Sequence, residues 1–304
     1  MATRSDPRSL LSKRASGATS STIRDILVHA DAPDVISLAG GIPSPSSFPM
    51  DALRSAAMAA LAAGPRAVQY GRTDGDPACR AALVSWTDVP VDPDDLVVTT
   101  GSQQGIDLVA RVLVDPGDAV VVGDPDYLGA LQALRSNDAR LVAVPVDRDG
   151  LRTDVLAERL ADGLRPKLVY VVTNFHNPTG ASLAAPRRRQ LVELAEYHGF
   201  LILEDDPYGE LHYDAPPPPP VGPGIEQVVR LRSVSKTVAP GLRLGWMTGP
   251  RWLLDAWWWR SSPRTCTPAR SARRWWWSWP GIPRGASATC TGSGPSAGSA
   301  ATPW

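Results

Sequence analysis

Polar and charged side chains follow several of the predicted strands of this chain, and one of them is a lysine. Lys236 lies in the stretch SVSKTVAPGLRLGW, and the chain has only two other lysines, Lys13 and Lys167. A lysine amine becomes a nucleophile towards aldehydes when burial or a nearby cation lowers its pKa. A lone lysine is more often a surface residue. Whether Lys236 is a nucleophile or a surface lysine therefore depends on the groups around it.

Two of these groups follow the first and second strands. In the run TTGSQQG, Gly101, Ser102 and Gln103 begin a helix, and the free N–H groups at a helix N-terminus favour a phosphate. The same residues could serve only to cap the helix. Tyr127, in the run GDPDYLGAL, is either a core aromatic or a ring that stacks on a flat ligand.

Three further groups complete the set. Asn177, in VTNFHNPTG, either closes a turn or donates to a ligand oxygen. Asp205 and Asp206 end a strand in ILEDDPYGEL, either as a solvated acidic turn or as a carboxylate held against a protonated ring nitrogen, because an unpaired buried carboxylate is costly. Arg243 lies seven residues after Lys236. Together these groups are what a protein needs to hold pyridoxal phosphate.

The elements that must position these groups alternate regularly along the chain. Short apolar runs typical of strands occupy residues 96–99, 119–122, 141–144, 168–172, 201–203, 228–231 and 242–247. Helical stretches precede or separate them at 51–63, 76–86, 102–114, 126–135, 153–162 and 186–198. This pattern predicts a three-layer α/β/α fold with a mostly parallel seven-stranded sheet. Ligands of such sheets bind outside the carboxyl ends of the strands.

Composition excludes several classes of function. The 304 residues have a net charge of zero, which favours neither a nucleic acid nor an anionic membrane as a partner. The chain has no run of about 18 apolar residues, so no membrane span is predicted. The three cysteines show no paired or metal-type spacing, which favours a cytoplasmic location. The four histidines are scattered singly, so no metal site is expected. The prolines at 216–220 predict a stiff surface connector, with recognition by a proline-binding domain as the alternative.

The motifs resemble those of the fold-type I, class I/II aminotransferases, and among them the 2-aminoadipate and kynurenine aminotransferase subgroup. The matching runs cover roughly residues 20–250 and include SLAGGIPSPSSFP, QYGRTDGDPACRAAL, NFHNPTG and LEDDPYGEL, together with the glycine and lysine stretches quoted above. The resemblance implies the large domain of pyridoxal phosphate-dependent transferases. It also implies transfer of an amino group between an amino acid and a 2-oxo acid.

The resemblance further implies a role for each matching residue. Lys236 resembles the lysine that forms a Schiff base with the cofactor and later moves the α-proton of the substrate. Asp205, rather than Asp206, resembles the partner of the pyridinium nitrogen, because the family spacing to a tyrosine then reaches Tyr208. Asn177 and Tyr208 resemble the pair that hydrogen-bonds the ring hydroxyl, and Asn177 also faces the substrate.

The remaining positions carry over in the same way. Tyr127 resembles the aromatic residue that stacks on the ring. Gly40 or Gly41 lies in the loop that covers the substrate. Tyr70 resembles a tyrosine that reaches the phosphate of the neighbouring subunit, which implies a homodimer. The positions that resemble phosphate ligands are Ser102, Gln103, Ser233 and Arg243.

The chain departs from the family pattern after about residue 250. We predict an N-terminal arm and substrate-covering loop over 1–50, a cofactor-binding large domain over 51–250, and an aberrant, disordered tail over 251–304. The tail holds nine of the 11 tryptophans and seven arginines but a single acid, which is not a composition that specifies a domain. We hypothesise that the reading frame slips near residues 255–257, with a genuine Trp-rich extension as the alternative. The small C-terminal domain of the family, with its carboxylate-binding arginine, is then largely missing.

The sequence therefore predicts an amino acid aminotransferase whose activity is impaired by the missing domain. Two alternatives stay open. The first is another reaction on the same scaffold, such as a carbon–sulfur lyase or a decarboxylase. The second is an inactive truncated product.

Overall fold

An eight-stranded sheet runs through the part of the chain that a computed structural model describes, which is residues 6–12, 34–36, 41–213 and 215–261. Within these residues the strands follow the spatial order β1-β8-β7-β6-β5-β2-β3-β4. Their bounds are β1 Leu96–Thr99, β2 Ala119–Asp124, β3 Arg140–Asp147, β4 Gly150–Leu151, β5 Pro166–Val172, β6 Leu201–Asp205, β7 Val228–Ser233 and β8 Gly245–Thr248.

The centre of the sheet is parallel, as predicted, and its edges are antiparallel. Strands β3, β2, β5, β6 and β7 pair in parallel, whereas β8 joins β7 to β1 through two antiparallel pairings. The predicted count of seven strands is wrong by one. The additional strand, β4, pairs with β3 over two residues only, which is too short to leave an apolar run in the sequence.

Helices cover both faces of the sheet. Their bounds are α1 Met50–Ala62, α2 Pro77–Val84, α3 Ser102–Leu113, α4 Leu128–Ser136, α5 Thr153–Ala161, α6 Ala185–His198 and α7 Arg251–Ser261. Apolar side chains of α3, α4 and α7 pack on one face in a single buried cluster, and those of α5 and α6 pack on the other. The predicted three-layer α/β/α arrangement is confirmed. No helix among these residues is long and apolar enough to cross a membrane.

Helix α7 corrects the prediction that regular structure ends at residue 250. It continues for 11 residues, and Leu253, Leu254 and Trp257 are buried in the cluster that contains α3. These three positions lie on one side of a helix. The short apolar pattern is hard to recognise in the sequence because tryptophans and arginines surround it. The tail beyond residue 261 lies outside the described residues. So do residues 21–29, where the sequence predicts a short helix.

The run of prolines is tied to the domain by a buried arginine. Arg188, on α6, is 4% exposed and donates to the carbonyls of Pro218 and Pro219. The same guanidinium donates to Thr173 O at 2.9 Å and Asn174 Oδ1 at 2.6 Å. The prolines therefore contribute backbone acceptors to the fold, and Arg188 also anchors the start of the loop after β5.

Candidate active site

A cavity of about 640 Å³ opens at the carboxyl ends of the parallel strands. Its volume lies within the roughly 300–1,000 Å³ that small-molecule sites occupy. Tyr70 does not line it, and Gly40 is outside the described residues. The other predicted site residues all line it: Gly41, Ser102, Gln103, Tyr127, Asn177, Asp205, Tyr208, Ser233, Lys236 and Arg243. The structure therefore brings together groups that span most of the described sequence.

Lys236 lies in the wall of this cavity on the segment that follows β7. Its Nζ donates to the carbonyl oxygen of Gly41 at 2.5 Å. Burial lowers the pKa of the Lys236 amine, because a charged ammonium loses hydration in the cavity. A larger fraction of the amine is then neutral, and a neutral amine is the form that attacks an aldehyde.

Asp205 provides a buried carboxylate in the same cavity. It ends β6 on the face that carries α3 and α4, and it is 2% exposed. Its Oδ2 accepts a hydrogen bond of 2.9 Å from the Tyr170 hydroxyl on the neighbouring strand β5. Burial raises the pKa of Asp205 from 3.8 to about 7, although the hydrogen bond from Tyr170 and the nearby Ser102 hydroxyl oppose the rise. Such a carboxylate is poised to pair with a cationic ligand group.

The raised pKa predicts how Asp205 affects folding of the ligand-free chain. The folded chain keeps this proton up to about pH 7, whereas the unfolded chain loses it near 3.8. The stability that the protonated acid contributes is therefore complete below the unfolded pKa and is lost as the pH rises through the folded pKa. We expect Asp205→Asn, which stays neutral, to raise the free energy of unfolding at about pH 8 by on the order of 4 kcal/mol.

Urea unfolding of both chains at about pH 8 and about pH 4 measures this effect. The gain from Asp205→Asn should shrink to a small fraction of its value at the lower pH, because pH 4 lies close to the unfolded pKa of 3.8 and far below the folded pKa. An equal gain at the two pH values would show that the titration of Asp205 does not cause it.

The N-terminus of α3 and Arg243 offer positive potential at one end of the cavity. Gly101 precedes α3 with φ +110 and no side-chain cap. The N–H of Gln104 donates to Gly101 O, so the N–H groups of Ser102 and Gln103 are the ones left for a ligand. A Cβ at Gly101 would lie 3.0 Å from Arg243 Nη2, which places the guanidinium beside the helix start. Among the described residues Arg243 forms no ion pair. An anion would therefore find a helix N-terminus and an unpaired guanidinium together.

Two predicted phosphate ligands have their side chains engaged elsewhere. Gln103 Nε2 donates to Gly129 O at 2.7 Å, which leaves one N–H of the side-chain amide and the backbone N–H for an anion. The hydroxyl of Ser233 bonds that of Ser235 at 2.7 Å and accepts from Ser235 N at 3.0 Å. Ser233 thus shapes the turn before Lys236, and Ser235 also lines the cavity.

Three residues that were predicted to contact the cofactor ring line the cavity with Asp205: Tyr127, Tyr208 and Asn177. Burial is the main cause that raises the pKa of both Tyr127 and Tyr208, and the charge of Asp205 adds to it. A side-chain hydrogen bond with Asn177 opposes this rise at Tyr208. The Tyr127 ring lies against Gly129, where an added Cβ would come within 2.5 Å of it. Both phenols therefore stay protonated and available as donors.

Three residues of this region were missed in the sequence. Tyr170 lies inside an apolar strand and reads as a core residue, although its hydroxyl serves Asp205. Asp126 and His176 contact each other at 3.1 Å beside Tyr127 and Asn177. A tyrosine within an otherwise aliphatic buried strand is the signal that could have identified Tyr170, because a buried hydroxyl needs a partner.

The donor set fits pyridoxal phosphate. Among the described residues, the buried atoms Asp205 Oδ1 and Ser102 Oγ make no hydrogen bond of good geometry, and buried polar atoms rarely remain so. Asp205 Oδ1 suits a protonated pyridine nitrogen, and the α3 N-terminus with Ser102 and Arg243 suits a phosphate. Lys236 supplies the amine for an aldehyde.

Comparison with known proteins also indicates an aminotransferase. The family described as "Aminotransferase class I and II" matches residues 33–272. The chain is 40% identical over 253 residues to aromatic-amino-acid aminotransferase 1 of Thermococcus litoralis, an alignment that covers 80% of this chain and 61% of the relative. The chain spans about 60% of the length of the curated relatives that it matches.

Solved structures resemble the described fold closely. The kynurenine aminotransferase of Pyrococcus horikoshii, in complex with PMP, superposes with a TM-score of 0.83 at 36% identity, covering 89% of this chain and 70% of that one. The α-aminoadipate aminotransferase of Thermus thermophilus, complexed with N-(5'-phosphopyridoxyl)-L-leucine, gives a TM-score of 0.80 at 32% identity and covers 88% of this chain and 68% of that one.

Proposed function

Because the chain belongs to the class I and II aminotransferase family, we propose that it binds pyridoxal phosphate and transfers an amino group from an amino acid to a 2-oxo acid. The observation that supports this most is the presence of Lys236 and the buried Asp205 in one cavity, next to an unpaired arginine at a helix N-terminus. Two relatives are named as aminotransferases of aromatic amino acids and of 2-aminoadipate. Amino acids of those two classes are therefore the first substrates to test.

Pyridoxal phosphate supplies an aldehyde that condenses with amines and a pyridinium ring that accepts electrons from the substrate α-carbon. Lys236 Nζ, kept partly neutral by burial, would hold the aldehyde until the amine of the substrate displaces it. The freed Nζ would then take the α-proton of the substrate and give it back one carbon away. The Gly41 carbonyl, which accepts from Nζ in this structure, orients the amine when it is free.

The other groups bind and orient. Asp205 Oδ1 would pair with the ring nitrogen and keep it protonated, while Tyr170 holds the opposite carboxylate oxygen. Asn177 and Tyr208 would donate to the ring hydroxyl, and Tyr127 would cover the ring. Ser102 and Arg243 would hold the phosphate together with the backbone amides of α3.

Two half-reactions test this function. Adding an amino acid to the chain loaded with pyridoxal phosphate should change the visible absorbance of the cofactor, and adding a 2-oxo acid should reverse the change. A lyase or a decarboxylase would instead release a thiol or carbon dioxide, and a 2-oxo acid would not restore the spectrum. An unchanged spectrum with every amino acid would show that the chain is inactive.

The predicted cytoplasmic location stays a prediction from the sequence.

A homodimer is also part of the proposal. Tyr70 is 94% exposed and Val68 is 69% exposed, and Met58 and Leu61 expose apolar side chains on the neighbouring helix α1. An exposed apolar patch of this kind suits contact with a second copy of the chain. Tyr70 would then donate to the phosphate bound by the partner.

We expect Tyr70→Phe to weaken binding of pyridoxal phosphate about tenfold, because it removes one hydrogen bond to a charged group. The variant should keep the dimeric mass in sedimentation velocity, since the ring remains. Tyr197→Phe, at another exposed tyrosine (86% exposed), is the matched control. A monomeric wild-type chain, or full affinity in Tyr70→Phe, would refute the assignment of Tyr70.

A further inference from the structure

The two loops that carry Tyr127 and Asn177 contact each other through a buried pair of side chains. Strands β2 and β5 are parallel neighbours, so the loops after them leave the sheet side by side. There His176 Nε2 lies 3.1 Å from Asp126 Oδ1, with side chains only 4% and 1% exposed. The contact joins residues 50 positions apart in the sequence.

Asp126 fixes the loop after β2. Its Oδ2 accepts from Gly123 N at 2.6 Å, and its Oδ1 accepts from Tyr127 N at 2.7 Å. One carboxylate thus holds the end of the strand and the backbone of Tyr127. Because Oδ1 also accepts from His176, the position of Tyr127 depends on the second loop.

His176 fixes the loop after β5 in a similar way. Its Nδ1 lies 2.9 Å from the Thr179 hydroxyl, and its backbone N donates to Ala181 O at 2.8 Å. With Nε2 donating to Asp126, Nδ1 accepts from Thr179, so both ring nitrogens are engaged. The ring thus links position 176 to Thr179, and Asn177 lies in the short segment between them.

We propose that Asp126 and His176 are positioning residues that set the separation between Tyr127 and Asn177 across the cavity. Neither role requires contact with a ligand, because each residue acts through its chain neighbour. An exposed contact of this kind would contribute little to stability. This pair is buried, and the Asp126 carboxylate accepts three N–H hydrogen bonds. The inference deepens the proposed function, because the two loops are those that we propose surround pyridoxal phosphate.

Hydrogen exchange of the full chain without pyridoxal phosphate tests the coupling. In His176→Ala, amides of the segment 123–128 should exchange about tenfold faster, the size expected for losing one hydrogen bond to a charged group. His176→Gln, whose amide N–H can replace Nε2–H, should restore slow exchange. His198→Ala, at the end of α6, is the histidine control and should leave this segment unchanged.

Affinity for pyridoxal phosphate provides a second readout. It should fall about tenfold in His176→Ala and recover in His176→Gln. Faster exchange confined to the segment around residue 176 would overturn the proposal. Because exchange is measured without cofactor, a wild-type chain that binds no pyridoxal phosphate would refute the proposed function and leave the coupling test intact.

A measurement on the unaltered chain covers the case in which His176→Ala does not fold. The nitrogen chemical shifts of the His176 ring should show Nε2 protonated, with a slowly exchanging proton. A ring protonated only at Nδ1 would contradict the donor role and overturn the proposal.

Discussion

Replacing Lys236 by alanine is expected to lower the rate of transamination by about 10⁴-fold or more. The variant loses the amine that attacks the cofactor aldehyde and the group that moves the α-proton, and proton transfer alone contributes about 10²–10⁴-fold to such reactions. The described residues that line the cavity include no second lysine, so no other amine there can replace it. Single-turnover absorbance after addition of an amino acid measures the loss.

The chain itself offers a matched control for this substitution. Lys167 has a side chain that is 54% exposed and lies 3.9 Å from Asp118, near the start of β5 and thus at the opposite end of the strand from the cavity. Lys167→Ala should keep the wild-type rate. If Lys236→Ala reacted within tenfold of the wild-type chain, the assignment of Lys236 would be wrong.

Asp205→Asn is expected to give the second largest loss, about 10²–10³-fold in the rate of the half-reaction. An amide cannot hold a positive charge on the ring nitrogen, and preorganised charges of this kind are worth that much in mutational studies. The Tyr170 hydroxyl, which donates to Asp205 Oδ2, can still donate to the amide oxygen. The loss should therefore reflect the charge rather than a collapsed site.

Glu204→Gln is the matched control for Asp205→Asn. Glu204 precedes Asp205 on β6, is equally buried and faces the opposite side of the sheet, where it pairs with Arg230 at 2.9 Å. Its substitution should change stability without changing the half-reaction. Equal losses of rate in the two variants would attribute the effect to folding and contradict the role of Asp205.

Asp205→Asn should thus stabilise the ligand-free chain and impair the reaction. Opposite effects of one substitution on stability and on activity are typical of active sites, where a group is kept in an unfavourable environment for its function. At Asp205 that environment is the burial that raises its pKa to about 7. The ring nitrogen of the cofactor would relieve this cost by supplying a positive partner.

Much of the fold could be predicted because most strands, β1 included, are buried on both faces and appear as apolar runs. The run at residues 96–99 coincides with β1, and the helix predicted to open at Asp76 is capped by that side chain, which accepts from Ala78 N and Cys79 N. The end of the last strand prediction was also correct within one residue. Its start was not, because Pro240–Leu242 forms a turn and Arg243 takes φ +48 before β8 begins.

The site was predictable where a residue type and a strand end coincide, as for Lys236 and Asp205. The Asp126–His176 contact was not, because it depends on β2 and β5 being neighbours although β3 and β4 come between them in sequence. Strand order follows from helix packing and crossover geometry rather than from local sequence. The sequence also does not show which hydrogen-bond partner a side chain takes. Gln103, for example, donates from Nε2 to Gly129 O.

Chemical identification of the modified lysine tests the central claim most directly. The chain has only three lysines, Lys13, Lys167 and Lys236, so two of them serve as internal controls. Incubation with pyridoxal phosphate, reduction of the linkage with borohydride and peptide mass spectrometry should place the modification on Lys236 in stoichiometric amount. Modification spread over all three lysines, or absent from Lys236, would contradict the proposed cofactor site.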